Sequence, residues 1–138
     1  MHQPGDILVV DDETNIVNLV VDLLQDEGYK VRTALNGAAA LAAIAEQMPG
    51  LILMDMYMPQ MTGVMLLEHL RGQGLSSIPV VLMTASPRAA EQFVGSDTVD
   101  YLAKPFDIEQ LLDCVARYMD TPDSSAPPND SQRFGTMG

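Results

Sequence analysis

Cysteine and long hydrophobic stretches are scarce in this sequence. Cys114 is the single cysteine among 138 residues, so no disulfide can form within the chain, which fits a reducing compartment. No apolar run approaches the roughly 18 residues of a membrane span. The first residues also lack the basic and apolar regions of a signal peptide. We therefore expect a cytoplasmic protein without a membrane-spanning segment.

Basic residues are also few. Lys and Arg number 7 against 19 Asp and Glu, which gives a net charge of −12. Nucleic-acid-binding proteins need clustered Lys and Arg to displace phosphate counterions. We therefore expect no direct contact with DNA or RNA, and none with an anionic membrane. Apolar residues, at 47%, are frequent enough for one domain to fold without metal or disulfide support.

Short apolar runs alternate with amphipathic stretches, which predicts βαβ units and a parallel sheet. The predicted strands cover residues 7–10, 30–34, 51–54, 80–83 and 101–103. Residues 121–138 contain three prolines and many Ser, Asp and Asn, a composition that cannot bury enough apolar surface to offset its ordering entropy. We predict one domain over residues 6–119, an N-terminal extension at 1–5 and a disordered tail or linker at 120–138.

The hydrophobic positions of the first and last predicted helices indicate which faces are buried. The first stripe consists of Ile16, Leu19, Val20, Leu23 and Leu24, and the last of Ile108, Leu111, Leu112, Val115, Ala116 and Met119. Cys114 lies off the second stripe. Asp107 and Gln110 form a capping-box pattern that predicts the start of the last helix. The stretch from Pro87 to Phe93 predicts a short helix at best.

Polar side chains follow the predicted strands at the point where each strand ends. They are Asp11 and Asp12, Asp55, Thr84 and Lys104. Since ligands of open parallel α/β sheets bind beyond the carboxyl ends of the strands, we expect these side chains to converge. Three neighbouring carboxylates repel one another and favour a cation, and an oxygen-only ligand set suits Mg²⁺. One carboxylate can then act as a nucleophile toward phosphorus, with a hydroxyl and an ammonium as partners for the phosphoryl oxygens.

The sequence resembles the CheY-like response regulator receiver domains of two-component signalling. The resemblance covers residues 6–119 and is carried by five segments in order, namely ILVVDDE (7–13), LNGAAAL (35–41), LILMDMYMPQMTG (51–63), VVLMTAS (80–86) and YLAKPF (101–106). It implies a doubly wound α/β fold, in which a five-stranded parallel sheet of strand order 2-1-3-4-5 carries helices on both faces.

The resemblance assigns the phosphoacceptor and the metal ligands. Asp55 is then the residue that accepts a phosphoryl group. Asp11, Asp12 and Asp55, together with the backbone carbonyl of Tyr57, are the expected ligands of Mg²⁺. The side chain of Tyr57 flanks the site and is a candidate for tuning the lifetime of the phosphoryl group.

The remaining roles also follow from the resemblance. Thr84 and Lys104 are expected to contact the phosphoryl group, and Thr84 with Tyr101 is expected to form the switch that reports phosphorylation. The Lys104–Pro105 bond resembles the family's cis peptide, in which Pro105 positions the lysine. Ser86 is a second candidate for tuning the phosphoryl lifetime.

The resemblance also implies partners. The phosphoryl donor is expected to be a histidine kinase or a histidine phosphotransfer protein. The output is expected to pass through the face of the fourth helix, fifth strand and fifth helix, either to a downstream protein or to a second copy in a homodimer. Val17 and Val21 widen the apolar face of the first helix. Either docking of the phosphoryl donor or packing against the last helix explains this wider face. The interval from Thr84 to Lys104 is a couple of residues shorter than the family pattern, and Asp97-Thr98 replaces a common Gly-Ala.

Other interpretations stay open at this point. Asp11 and Asp12 are also suited to cap the following helix, and Tyr101 is suited to plain packing in a strand. We expect a switch rather than an enzyme, with at most self-catalysed phosphorylation and dephosphorylation. A Mg²⁺-dependent phosphohydrolase with an aspartyl-phosphate intermediate is a remote alternative, because Tyr57 stands where such enzymes carry a second acid. The chain is either a stand-alone regulator or the receiver part of a longer one whose effector domain lies beyond Gly138.

Overall fold

A computed structural model describes residues 5–58, 61–74, 78–94 and 100–119. The strands are β1 (Ile7–Val10), β2 (Val31–Ala34), β3 (Leu51–Asp55), β4 (Val80–Thr84) and β5 (Asp100–Ala103). The helices are α1 (Thr14–Asp26), α2 (Gly37–Glu46), α3 (Gly63–Gly72), α4 (Pro87–Glu91) and α5 (Ile108–Met119). The predictions for Asp97-Thr98, for most of the N-terminal extension and for the tail lie outside the described residues.

The five strands form a parallel sheet in the order β2-β1-β3-β4-β5, as predicted. All residues of β1, β3 and β4 are buried, which explains why these strands are apolar throughout except for Asp55 and Thr84 at the ends of β3 and β4. The register pairs Val10 with Met54, Asp55 with Met83, and Thr84 with Ala103. The residues that end these strands are therefore brought to the same edge of the sheet.

Two separate hydrophobic cores lie on opposite faces of the sheet. Alternate residues of each central strand point to opposite faces, so Leu8 and Val10 pack with α2, α3 and α4. Ile7 and Val9 pack with α1 and α5 on the other face. This division confirms the doubly wound arrangement.

The helix faces differ in part from the predicted stripes. In α1, Val17 belongs to the core and is 4% exposed, whereas Leu19 is 53% exposed. In α5, Cys114 is buried beside Leu111, whereas Ile108 is 52% exposed. The expectations for Leu19, Ile108 and Cys114 were therefore wrong, and the burial of Val17 favours packing over donor docking at that residue.

The ends of the elements follow the local sequence. Gly28 ends α1 in the left-handed region at φ 91°. The Asn36 side chain caps α2 by accepting the Ala39 N–H at 2.7 Å. The predicted capping box of α5 is confirmed, since Asp107 and Gln110 each accept the other's backbone N–H. The fourth helix is short, as predicted, with five residues. Among the described residues, no helix is both long and apolar enough to cross a membrane.

Arg32 of β2 connects the beginning of β1 to the end of α2. Its guanidinium forms an ion pair with the buried Asp6. The same group donates to the carbonyls of Ala43 at 2.7 Å and Gln47 at 2.6 Å. A planar guanidinium can satisfy these acceptors at once, whereas an ammonium provides a single point of charge. Arg32 therefore anchors the edge strand to the rest of the fold.

Candidate functional site

Three carboxylates converge at the carboxyl edge of the sheet. Asp11 and Asp12 follow β1, and Asp55 is the last residue of the neighbouring β3. Because these two strands are parallel and in register, one oxygen from each acid lies within 4.8 Å of the others. Asp11 is fully buried, Asp55 is 7% exposed and Asp12 is exposed. The convergence expected from the strand ends is therefore present.

Lys104 brings a positive charge to these acids from the end of β5. Its Nζ lies 2.9 Å from Asp11 Oδ2 and 3.5 Å from Asp55 Oδ1. The Lys104 backbone N–H donates to the Thr84 carbonyl at 2.7 Å, which continues the pairing of β4 with β5. The Lys104–Pro105 peptide bond is cis, as the family pattern implied. The ammonium therefore contacts both Asp11 and Asp55 and neutralises part of the negative charge of the cluster.

The pKa of Asp55 is raised above its ordinary value. Burial is the main cause, and the charge of Asp11 adds to it. Lys104 opposes this shift, as does the Tyr57 backbone N–H, which donates to Asp55 Oδ1 at 3.4 Å. Burial lowers the pKa of Lys104, but its hydrogen bond to Asp11 and the surrounding negative charge outweigh burial, so that pKa is raised. Lys104 thus stays protonated, while the ionised form of Asp55 is disfavoured.

The donor set fits a hard divalent cation. It consists of carboxylate oxygens, with the Tyr57 carbonyl nearby in the chain, and Mg²⁺ prefers oxygen ligands. Cys114 and His69, the described residues with a thiol and an imidazole, lie elsewhere, one on the buried face of α5 and the other on α3. The carboxylates of Asp11, Asp12 and Asp55 are therefore suited to bind Mg²⁺, and this edge of the sheet is not suited to a metal bound by thiolate or imidazole.

Thr84 and Ser86 lie where β4 ends and α4 begins. Thr84 is 1% exposed, and its Oγ1 accepts the Ser86 backbone N–H at 2.9 Å. Ser86 is exposed and occupies the N-cap of α4 without a side-chain capping bond. The Thr84 hydroxyl therefore fixes the turn that leads into α4, so a movement of Thr84 would also move that turn.

Tyr101 lies on β5, and its half-buried ring packs against the core formed with α2, α3 and α4. Its hydroxyl donates to Glu91 Oε1, at the end of α4, with a separation of 3.4 Å. The charge of Glu91 is the main cause of the raised pKa of Tyr101. Tyr57 has a different environment, since its side chain is 55% exposed beside Asp55. Tyr101 thus connects β5 to α4, whereas Tyr57 is exposed two residues beyond Asp55.

One member of this cluster was not predicted from the sequence. Glu13 Oε1 lies 3.5 Å from Lys104 Nζ, so the lysine has a third carboxylate partner. The third acid of ILVVDDE was the available signal. However, the contact joins residues 91 positions apart, and the spacing of acids within one segment does not reveal it.

Comparisons with known proteins agree with this geometry. The response regulator receiver domain family matches residues 7–116. The probable transcriptional regulatory protein TcrX of Mycobacterium tuberculosis is 36% identical over 112 residues, which cover 80% of this chain and 47% of TcrX. The transcriptional regulatory protein ZraR of Escherichia coli is 33% identical over 142 residues, which cover 99% of this chain and 32% of ZraR. The chain thus spans about a third to about a half of the length of these relatives.

Solved structures show the same fold. The receiver domain of NtrX from Brucella abortus has a TM-score of 0.77 and 34% identity, over 85% of this chain and 100% of that one. The chemotaxis protein CheY4 of Vibrio cholerae has a TM-score of 0.76 and 33% identity, over 83% of this chain and 98% of that one. The carboxylate cluster, the lysine, the strand order and the family match therefore lead to one conclusion: this chain belongs to the response regulator receiver domain family of two-component signalling.

Proposed function

We propose that this domain is a phosphorylation-dependent switch that accepts a phosphoryl group on Asp55. Receiver domains take phosphoryl groups from histidine kinases, and we infer that a histidine kinase or a histidine phosphotransfer protein is the donor here, acting in the cytoplasm. The observation that carries the proposal is the group of three carboxylates at one edge of the sheet, two of which, Asp11 and Asp55, contact Lys104.

The environments of the three acids favour Asp55 as the nucleophile. Both oxygens of the buried Asp11 already have partners, because Oδ1 accepts the Glu13 N–H at 2.9 Å and Oδ2 contacts Lys104. Asp12 is exposed and therefore well hydrated. Asp55 lies between these extremes, and its raised pKa indicates a carboxylate that is poorly stabilised in its ionised form. Such a carboxylate retains the basicity that a nucleophile needs.

The proposed reaction transfers phosphorus from nitrogen to oxygen. An Asp55 carboxylate oxygen forms the new O–P bond while the P–N bond to the donor's histidine breaks, and the electron pair of that bond stays on the imidazole nitrogen. Lys104 is close enough to contact a phosphoryl oxygen, since its Nζ lies 3.5 Å from Asp55 Oδ1. Asp11, Asp12, Asp55 and the Tyr57 carbonyl would hold Mg²⁺, which would supply positive charge to neutralise the phosphoryl oxygens.

We infer that the output passes from Thr84 and Tyr101 to α4. A phosphoryl group adds about −1.5 to −2 of charge, and both Lys104 and the Thr84 hydroxyl are donors that can move toward it. Movement of Thr84 shifts the turn to Ser86, and rotation of Tyr101 breaks its contact with Glu91. The face of α4, β5 and α5 would then bind a downstream protein or a second copy of the chain.

The relatives suggest a second context for the same switch. TcrX and ZraR are named as transcriptional regulatory proteins and are longer than this chain. We therefore keep the alternative that the chain is the receiver part of a longer regulator with an effector domain beyond Gly138. The net charge of −12 supports our prediction that any DNA contact of such a regulator lies outside these residues.

Native mass spectrometry with a small-molecule phosphodonor and Mg²⁺ tests the proposal. We expect one added phosphoryl group on the wild type and on Asp113→Asn, a matched change at an exposed acid of α5. We expect none on Asp55→Asn. Stoichiometric labelling that persists in Asp55→Asn would refute the assignment. Repeated release of phosphate from a phosphate ester would instead support the phosphohydrolase.

A further inference from the structure

Glu13 occupies an unusual position at the start of α1. It is the N-cap residue, but its side chain makes no capping hydrogen bond to the helix. Its backbone N–H donates to Asp11 Oδ1 at 2.9 Å, which fixes the residue beside the acidic cluster. Its side chain is 62% exposed and extends to Lys104, where Oε1 lies 3.5 Å from Nζ. Glu13 therefore contacts the lysine instead of capping its own helix.

The partners of Lys104 differ in what else they are required to do. The ammonium contacts Asp11 at 2.9 Å, and Asp55 and Glu13 at 3.5 Å each. In the proposed function, Asp11 binds the cation and Asp55 carries the phosphoryl group, so both carboxylates become engaged during the reaction. Glu13 is then the partner of Lys104 that has no other task.

We propose that Glu13 is a positioning residue that keeps Lys104 directed toward Asp55 when Asp11 binds a divalent cation. This inference rests on the proposed function. The contact contributes little to folding stability, because an exposed ion pair is worth about 0–1 kcal/mol. The effect of Glu13 is to orient the Lys104 ammonium. Without Glu13, the ammonium would turn toward solvent once Asp11, its partner at 2.9 Å, binds the cation.

The lysine content of the chain allows a direct test by NMR. Lys30 and Lys104 are the two lysines of the sequence, so labelling with isotopic lysine gives two side-chain signals, and the exposed Lys30 is an internal reference. With Mg²⁺ alone added, we expect the Lys104 ammonium of the wild type to stay protected from exchange with water. In Glu13→Gln we expect that protection to fall several-fold while the Lys30 signal is unchanged.

Phosphorylation rates provide the second readout. At saturating small-molecule donor and Mg²⁺, we expect Glu13→Gln to be phosphorylated about three- to tenfold more slowly than the wild type, the size of a modest loss of orientation. Glu13→Asp keeps the charge but loses reach, and we expect it to be equally slow. Glu109→Gln, the same change at an exposed position in the first turn of α5, should match the wild type.

The outcomes separate this inference from the proposed function. A wild type that accepts no phosphoryl group refutes the proposed function, whereas the protection of Lys104 still measures the contact with Glu13. Unchanged protection and rate in Glu13→Gln would overturn the positioning role. A Glu13→Asp variant that behaves like the wild type would also overturn it, since charge without contact would then be sufficient.

Discussion

Replacing Lys104 with Met should destabilise the fold by about 3 kcal/mol when no divalent cation is present. Asp11 and Asp55 have carboxylate oxygens within 4.8 Å, which corresponds to a repulsion of about 3.5 kcal/mol at an effective dielectric of 20. Removing one member of a buried ion pair costs about 3–5 kcal/mol. We expect the lower end of this range because the Lys104 side chain is 16% exposed and water screens part of the charge.

Urea unfolding followed by far-ultraviolet circular dichroism suits this measurement, since the chain has no tryptophan for fluorescence. With EDTA present, the midpoint of Lys104→Met should fall without a change in slope. Lys30→Met is the matched control at an exposed lysine and should stay within about 0.5 kcal/mol of the wild type. Adding Asp55→Asn to Lys104→Met should recover more than 1 kcal/mol, because the repulsion with Asp11 is then absent.

Two results would refute this reasoning. A Lys104→Met variant as stable as Lys30→Met would show that water, and not the lysine, compensates the buried acids. If the double variant Lys104→Met/Asp55→Asn is no more stable than Lys104→Met alone, the carboxylates of Asp11 and Asp55 do not repel each other at a separation of at most 4.8 Å. Either result would also weaken the electrostatic argument for a cation at this edge of the sheet.

Three further predictions concern pH, packing and thiol reactivity. The pKa of Asp55 is higher in the folded state than its ordinary value of 3.8, so its contribution to stability is complete below that value and is lost as the pH rises through the folded pKa. Asp55→Asn should therefore be more stable than the wild type in urea unfolding near neutral pH. If this difference in the free energy of unfolding does not shrink as the pH falls toward 3.8, the prediction is wrong. In Gly37→Ala the new methyl group would collide with the Cβ, Cγ and Sδ of Met61, so we expect a loss of about 1–3 kcal/mol in the same assay. Adding Met61→Ala should recover only part of this loss, because the Cβ of residue 61 remains, and an exposed substitution should recover none of it. Burial raises the pKa of the Cys114 thiol to about 11, so a thiol reagent at neutral pH should label it in urea and leave the native protein unmodified; rapid native labelling would mean that the core beside α5 opens readily.

The strand pattern was sufficient to predict the sheet and the place of the site. Uninterrupted apolar runs are typical of strands covered on both faces, and a polar residue directly after each run marks the edge of the sheet. Asp11, Asp55 and Lys104 were predicted in this way, and the structure brings them together. Strand order itself came from the family resemblance, because periodicity carries no information about which strands are neighbours.

The helix faces were predicted less well for a physical reason. In α1, apolar residues occupy seven positions between Ile16 and Leu24, so more than one stripe fits the helical period. The sheet selects the stripe that contains Val17 and leaves Leu19 in solvent. In α5, Ile108 is the first residue of the helix and is exposed, while Cys114 is small and apolar enough to fill the centre of the contact.

The two cores on opposite faces of the sheet also affect how this domain can diversify. Substitutions far apart with no shared neighbours have nearly additive effects. A change on α1 or α5 is therefore nearly additive with one on α2, α3 or α4, whereas a change in the central strands, which contribute side chains to both cores, affects both. The two helical layers can therefore accumulate substitutions independently over evolutionary time. A lineage, or a protein engineer, can in this way alter recognition on one side of the molecule while the other side and the acidic edge are inherited intact.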